Sequence, residues 1–80
     1  MSYSPEVNVN IGHRAAQSII RRAAENHTTL GAQMARLQIS RQQYYQWTKR
    51  ANAVAPSALV LARMADEGYD VLYILTGKRG

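Results

Sequence analysis

The sequence predicts an all-α domain of five helices and no strands, on three observations. Apolar residues recur at helical spacing in successive segments, beginning with the stretch from Ile11 to Glu25. Ser40 and Gln43 have the spacing of a capping box, the strongest helix-start signal in the chain. Near the end, Gly68 and Gly77 read as helix stops and Asp70 as a helix cap. A chain of 80 residues supports one compact core. The reading is therefore one domain over residues 11–77, with a flexible arm at 1–10 and a basic tail at 78–80.

Asn10 is read as the cap of a first helix over Ile11–Glu25, with Ile11, Ala15, Ile19, Ile20 and Ala23 as its apolar stripe. Asn26 and His27 break that pattern, and Thr28 or Thr29 then caps a short second helix, Leu30–Leu37. Leu30, Met34 and Leu37 line one of its faces. The third helix opens at Arg41 and is expected to run to Arg50. Its cap, Ser40, has a hydroxyl that suits the amide of Gln43, while the Gln43 carboxamide reaches back to the amide of Ser40. Ile39 and Tyr44 flank the box where a hydrophobic staple belongs. Only Gln38 and Ile39 separate this cap from the second helix, so the two are joined by a tight turn. After a weakly patterned connection, Ala51–Ala55, Pro56 suits the first turn of a fourth helix. Leu61, Ala62, Met64 and Ala65 supply its buried stripe and Gly68 ends it. Asp70 caps the fifth helix, Val71–Thr76, and Gly77 stops it.

Charge narrows the function. Ten Lys and Arg against five Asp and Glu leave a formal net charge of +5. The sequence pI is near 10.1. That excess favours a polyanionic partner, nucleic acid or an anionic membrane surface. No apolar run approaches the roughly 20 residues that cross a membrane. The first ten residues lack the basic start and apolar stretch of a signal peptide, so the expected location is cytoplasmic. With no cysteine and two isolated histidines, His13 and His27, no metal site or cofactor is expected. The scattered acids suggest no catalytic pair or triad, and no enzyme is expected.

The third helix carries the chemistry. At about 100° per residue, with Arg41 at zero, Gln42, Tyr45, Gln46 and Lys49 fall between about 40° and 140°. Tyr44, Trp47 and Ala51 fall on the opposite arc, between about 240° and 300°. One face is aromatic and apolar and should be buried. The other holds a guanidinium, two carboxamides, a phenol and an ammonium, and should be exposed. Arg suits guanine O6 and N7, Gln suits adenine N6 and N7, and Tyr packs on a thymine methyl. Any amphipathic surface helix has a polar face; the short preceding helix, the tight turn and the basic pI are what favour DNA.

Two stretches carry a family resemblance. MARLQISRQQYYQWT, from Met34 to Thr48, resembles the helix-turn-helix core of the lambda-repressor and Cro superfamily. PSALVLARMADEGYDVLYILTG, from Pro56 to Gly77, is similar to the C-terminal half of many phage-repressor DNA-binding domains. The resemblance implies a compact five-helix bundle with the second and third helices as the helix-turn-helix. Gln38 stands where the family usually has a turn Gly, at a position suited to positive φ. By position the resemblance implies base reading by Arg41, Gln42, Tyr45 and Gln46, with Lys49 near the helix end. Phosphate contacts are expected from Thr29, Ser40, Lys49 and Arg50, whose hydroxyls, amides and cations lie at helix ends. Small domains of this family often dimerise through the C-terminal region, which makes Tyr73 a candidate interface residue. The implied function is a sequence-specific transcriptional regulator that binds a palindromic double-stranded DNA operator as a homodimer, without a small-molecule ligand.

A different class stays open: a protein-interaction module on the same helical scaffold, such as an antitoxin or anti-repressor. Arg41 and Lys49 on the third helix speak against it. A basic membrane-surface protein is disfavoured because the apolar faces are already committed to a core. Arg21 and Arg22, a basic pair on the first helix, read as solvated surface ahead of phosphate contacts.

Overall fold

Proline has no amide proton to lose, and its fixed φ suits a helix, so it is favoured at the first helical position. The first helix, α1 (Pro5–Glu25), begins on such a residue. In the computed structural model, which describes residues 5–49 and 53–78, four more helices follow: α2 (Leu30–Arg36), α3 (Arg41–Thr48), α4 (Ala58–Asp66) and α5 (Val71–Thr76). No strand occurs among the described residues. The start of α1 corrects the sequence reading. Asn10 is not its cap, and residues 5–10, assigned to a flexible arm, are helical; residues 1–4 lie outside the described residues. Val7 stands four residues before Ile11 and extends the apolar stripe by a turn, and both are half-buried.

At roughly 1.5 Å per residue, α1 is about 31 Å long, and it packs against α2, α3 and α5, while α4 packs on α5. Ala15 and Ile19 of α1 meet Met34, Leu37, Ile39, Trp47, Val60, Met64, Tyr69 and Ile74 in one core. Two arginines of α1 reach the other end of the chain. Arg14 donates from Nε to the carbonyl of Ile74 (2.8 Å) and from a terminal nitrogen to that of Leu75 (3.3 Å). Arg22 donates to the carbonyls of Glu67 (2.8 Å) and Gly68 (3.2 Å). Its guanidinium also lies 4.3 Å from the centre of the Tyr69 ring. Both therefore satisfy carbonyls that a helix end leaves unpaired, and place positive charge at the negative ends of α5 and α4. Arg22 is thus not the solvated side chain expected.

Three helices end by the same device, a residue in the left-handed region with two backbone bonds folded back on the last turn. At α1, His27 (φ 53°) and Thr28 donate to the carbonyls of Ala24 and Ala23. At α2, Gln38 (φ 58°) and Ile39 donate to Ala35 and Met34. At α4, Gly68 (φ 86°) and Tyr69 donate to Ala65 and Met64. Only α4 uses the residue that adopts this conformation without strain. Gln38→Gly is expected to raise stability by about 0.5–1 kcal/mol, the relief of strain outweighing glycine's extra unfolded-state entropy. For a domain of this size that is a rise of several degrees in Tm, measured by thermal melts followed by circular dichroism. A lower Tm would show that the Gln38 side chain contributes more than its backbone costs.

The remaining boundaries come from caps. Thr29 caps α2, its hydroxyl accepting from the amide of Ala32 (3.0 Å), and α2 ends at Arg36 with Leu37 as its C-cap. Ser57, not Pro56, opens α4: its hydroxyl accepts from Val60, and Pro56 is buried just ahead of the cap. Asp70 caps α5 through the amide of Tyr73 (3.0 Å), and Gly77 (φ 77°) ends it. Lys78 still bonds back through its amide to the Thr76 hydroxyl (3.1 Å); the rest of the expected tail lies outside the described residues. Gln33 of α2 is 2% exposed, and its carboxamide donates to the Tyr69 hydroxyl (2.9 Å), which satisfies a polar group inside the core.

Candidate nucleic-acid interface

Everything that aims α3 is local sequence or core packing. The capping box forms as read: the Ser40 hydroxyl accepts from the amide of Gln43 (3.1 Å), and Gln43 Oε1 accepts from the amide of Ser40 (2.8 Å). Ile39 is buried and Tyr44 packs against the same core, which sets the angle of entry. Trp47 is 3% exposed, and its ring stands 6.3 Å from that of Tyr44. On its backbone side Trp47 touches α1 at Gly12. A Cβ built there would overlap the Trp47 carbonyl oxygen and lie 3.0–3.1 Å from its carbonyl carbon and Cα. Glycine is what lets the two helices approach so closely.

The opposite face of α3 presents Arg41, Gln42 and Tyr45 to solvent, the Tyr45 side being 62% exposed. Two expected neighbours are less open. Gln46 and Lys49 are half-buried rather than exposed. Moreover, α3 ends at Thr48, short of Arg50, and Lys49 is its C-cap in extended conformation (ψ 153°). Lys49 therefore leaves the helical arc on which the sequence reading placed it. The Thr48 hydroxyl donates back toward the carbonyls of Tyr44 (3.1 Å) and Tyr45 (3.3 Å), consistent with a helix that stops there. Arg50 lies outside the described residues.

Thr29 and Ser40 are both exposed N-caps. Each hydroxyl oxygen accepts within its own cap, and the Ser40 amide is already bonded to Gln43, so what each can offer an anion is its hydroxyl proton. Among the described residues neither Arg41 nor Lys49 takes part in a salt bridge, whereas Arg36 pairs with Glu67 (3.3 Å). With Arg14 and Arg22 turned onto helix ends, the cations at α3 are a larger share of the uncommitted positive charge than the sequence suggests. Burial pushes the Tyr44 phenol above its usual range; burial also raises Tyr69, against the opposing effect of the Gln33 hydrogen bond. Both remain neutral near pH 7.

A cleft of about 220 Å³ separates α1 from α3, lined by His13, Ala16, Gln17, Ile20, Tyr44 and Thr48. Tyr73 is half-buried on α5, between Leu72 and Leu75, which are 55% and 42% exposed. No cluster of His, Asp and Glu able to hold a metal forms among the described residues, and no helix there is long and apolar enough to cross a membrane. Sequence reasoning missed Gly12, Arg14 and the Gln33–Tyr69 pair. Each acts across the fold, and only a glycine inside a strongly helical pattern hinted at the first.

Comparison with known proteins adds one match. A family described as a helix-turn-helix domain matches residues 17–60, more than half of the chain. No curated protein and no solved structure matches.

Proposed function

Because the chain belongs to the helix-turn-helix domain family, we propose that it is a sequence-specific transcriptional regulator of the phage repressor or Cro type, binding a palindromic operator as a homodimer. The observation that carries this reading is α3 itself. A capped helix anchored by Trp47 turns an exposed edge of Arg41, Gln42 and Tyr45 outward, and no acidic residue shares that edge. These groups match the donor and acceptor pattern of the major groove. Gln46 contributes from a half-buried position. Thr29, Ser40, Lys49 and Arg50 hold the phosphates, with Lys49 acting from the end of the helix rather than from the reading arc. Regulation is by occupancy: a bound dimer blocks polymerase or a competing regulator.

The decisive measurement is selection of bound sequences from random duplex DNA, in which an enriched palindrome is expected. Arg41→Ala and Gln42→Ala should then each cost about 1–3 kcal/mol on that operator and relax preference at one base pair. Lys49→Ala should weaken operator and scrambled duplexes alike and flatten the salt dependence. If Arg41→Ala and Gln42→Ala bind with unchanged affinity and selectivity, α3 is not the reading helix, and the interaction-module reading replaces this one.

One reading helix makes few base contacts, so tight binding calls for two, about 34 Å apart on the duplex. Exposed Leu72 and Leu75, one helical turn apart on α5 beside Tyr73, support a C-terminal dimer contact. Leu72→Asp is expected to lower operator affinity and halve the protein stoichiometry of the complex in sedimentation. A wild-type complex with one monomer per operator would refute the dimer.

A further inference from the structure

The cleft between α1 and α3 opens along one flank of the reading edge. At about 100° per residue, Thr48 and Tyr44 lie about 20° and 60° to one side of Arg41 on α3, and both line the cleft. The facing wall is a stripe of α1: His13, Gln17 and Ile20, spaced i, i+4 and i+7. His13 and Gln17 are exposed, as is Arg21, four residues beyond Gln17. Ile20 is 48% exposed, an apolar side chain left open at the edge of an otherwise well-packed helix. No acidic residue lines the cleft.

An α-helix with its side chains is about 10–12 Å across and the major groove is about 12 Å wide, so a helix seated there fills it. The two sugar–phosphate strands that wall the groove must then run along the two flanks of the helix. The α1–α3 cleft occupies one of those flanks. The geometry points to this cleft as the seat of one DNA backbone strand, with His13 and Gln17 donating hydrogen bonds to phosphate oxygens and Arg21 reaching the next phosphate along. Ala16, Ile20 and the ring of Tyr44 give the deoxyribose an apolar floor. Thr48 is excluded as a phosphate donor because its proton is already shared between two carbonyls of its own helix. The inference rests on α3 being the reading helix, and it extends the interface beyond the helix-turn-helix to a helix assigned no contact so far.

The test uses the full chain, the selected operator and a scrambled duplex, titrated at several salt concentrations. The variants are His13→Ala/Gln17→Ala, Arg21→Ala and, as a reference, Arg41→Ala. The first two change exposed positions of a helix to the best helix former, and unchanged circular dichroism and Tm check the fold. The double variant is expected to weaken both duplexes by the same factor, about tenfold for two lost hydrogen bonds, with base preference intact. Arg21→Ala should reduce the slope of log K against log salt by about one unit, the release of one phosphate's counterion. Methylphosphonate substitution along the operator should find one or two phosphates whose neutralisation weakens the wild type and no longer weakens the double variant. Unchanged affinity of the double variant, while Arg41→Ala still loses selectivity, overturns the cleft assignment and leaves the reading helix standing. Loss confined to the operator also overturns it, since a backbone contact weakens both duplexes. If Arg41→Ala changes neither affinity nor selectivity, α3 is not in the groove and both assignments fall together.

Discussion

Trp47→Ala is expected to cost roughly 3–5 kcal/mol, the range for deleting a buried aromatic side chain when the surrounding structure closes only partly. Trp47 is 3% exposed and stands where α3 meets the core, against Tyr44 and close to α1. A domain of 80 residues at roughly 0.05–0.15 kcal/mol per residue has about 4–12 kcal/mol in all. Losing this one side chain would therefore leave a variant partly or wholly unfolded at 37 °C. Urea titration followed by far-ultraviolet circular dichroism measures the loss. A cost under 1 kcal/mol would mean that α3 is held by its cap and staple rather than by the indole. Because Trp47 is the only tryptophan, its fluorescence reports the same contact in the wild type, with emission shifting to the red as α3 leaves the core.

Gly12→Ala should destabilise by roughly 3 kcal/mol, the upper part of the range for overpacking a tight core. The sign is informative. In an exposed helix the same change stabilises by about 0.8–1 kcal/mol, because Ala is the better helix former. At Gly12 the new methyl group meets the backbone of Trp47, which cannot rotate away as a side chain would; α1 must lift off α3 instead. Gly31, on α2, has nothing within 4 Å of where its Cβ would stand. Gly31→Ala is therefore the matched control and should be neutral to stabilising. Opposite shifts in Tm for the two variants are expected; a stabilised Gly12→Ala would place α1 farther from α3 than described.

Signals confined to a few neighbouring residues were legible in the sequence. The Ser40–Gln43 box, the Asp70 cap and the Gly68 and Gly77 stops each involve groups within one turn, and all appear where the pattern puts them. Opposed faces on α3 were legible in part: Trp47 is buried and Arg41, Gln42 and Tyr45 are exposed. However, Gln46 and Lys49 are half-buried on the face read as open, and Tyr44 is half-buried on the face read as closed. Competing local signals misled at two starts. Asn10 and Pro5 are both plausible helix openings, as are Pro56 and Ser57, and the chain uses Pro5 and Ser57. The early end of α3 was hidden because nothing in Thr48–Lys49–Arg50 forbids another turn. Gly12 apart, long-range partners left no mark. Arg22 reads as one half of a surface pair until Glu67, Gly68 and Tyr69 arrive beside it.

The reach of α1 also bears on how the chain folds. Arg14 bonds to residues 60 and 61 positions away, and Arg22 to residues 45 and 46 positions away, so the first helix is fastened to the last two. The loop that must close before those bonds form spans most of the chain, and its entropy is recovered only when α5 docks. A helical protein would ordinarily assemble from neighbouring pairs, with fast kinetics set by local contacts. Here α1 packs on α2, α3 and α5 alike and their side chains share one core, so no neighbouring pair completes it alone. Folding and unfolding should accordingly be all-or-none, with one transition seen by every probe and no partly folded helix-turn-helix persisting by itself. Hydrogen exchange gives this a direct signature: amides of α3 and of α5 should open with the same free energy, although among the described residues the two helices do not pack backbone to backbone.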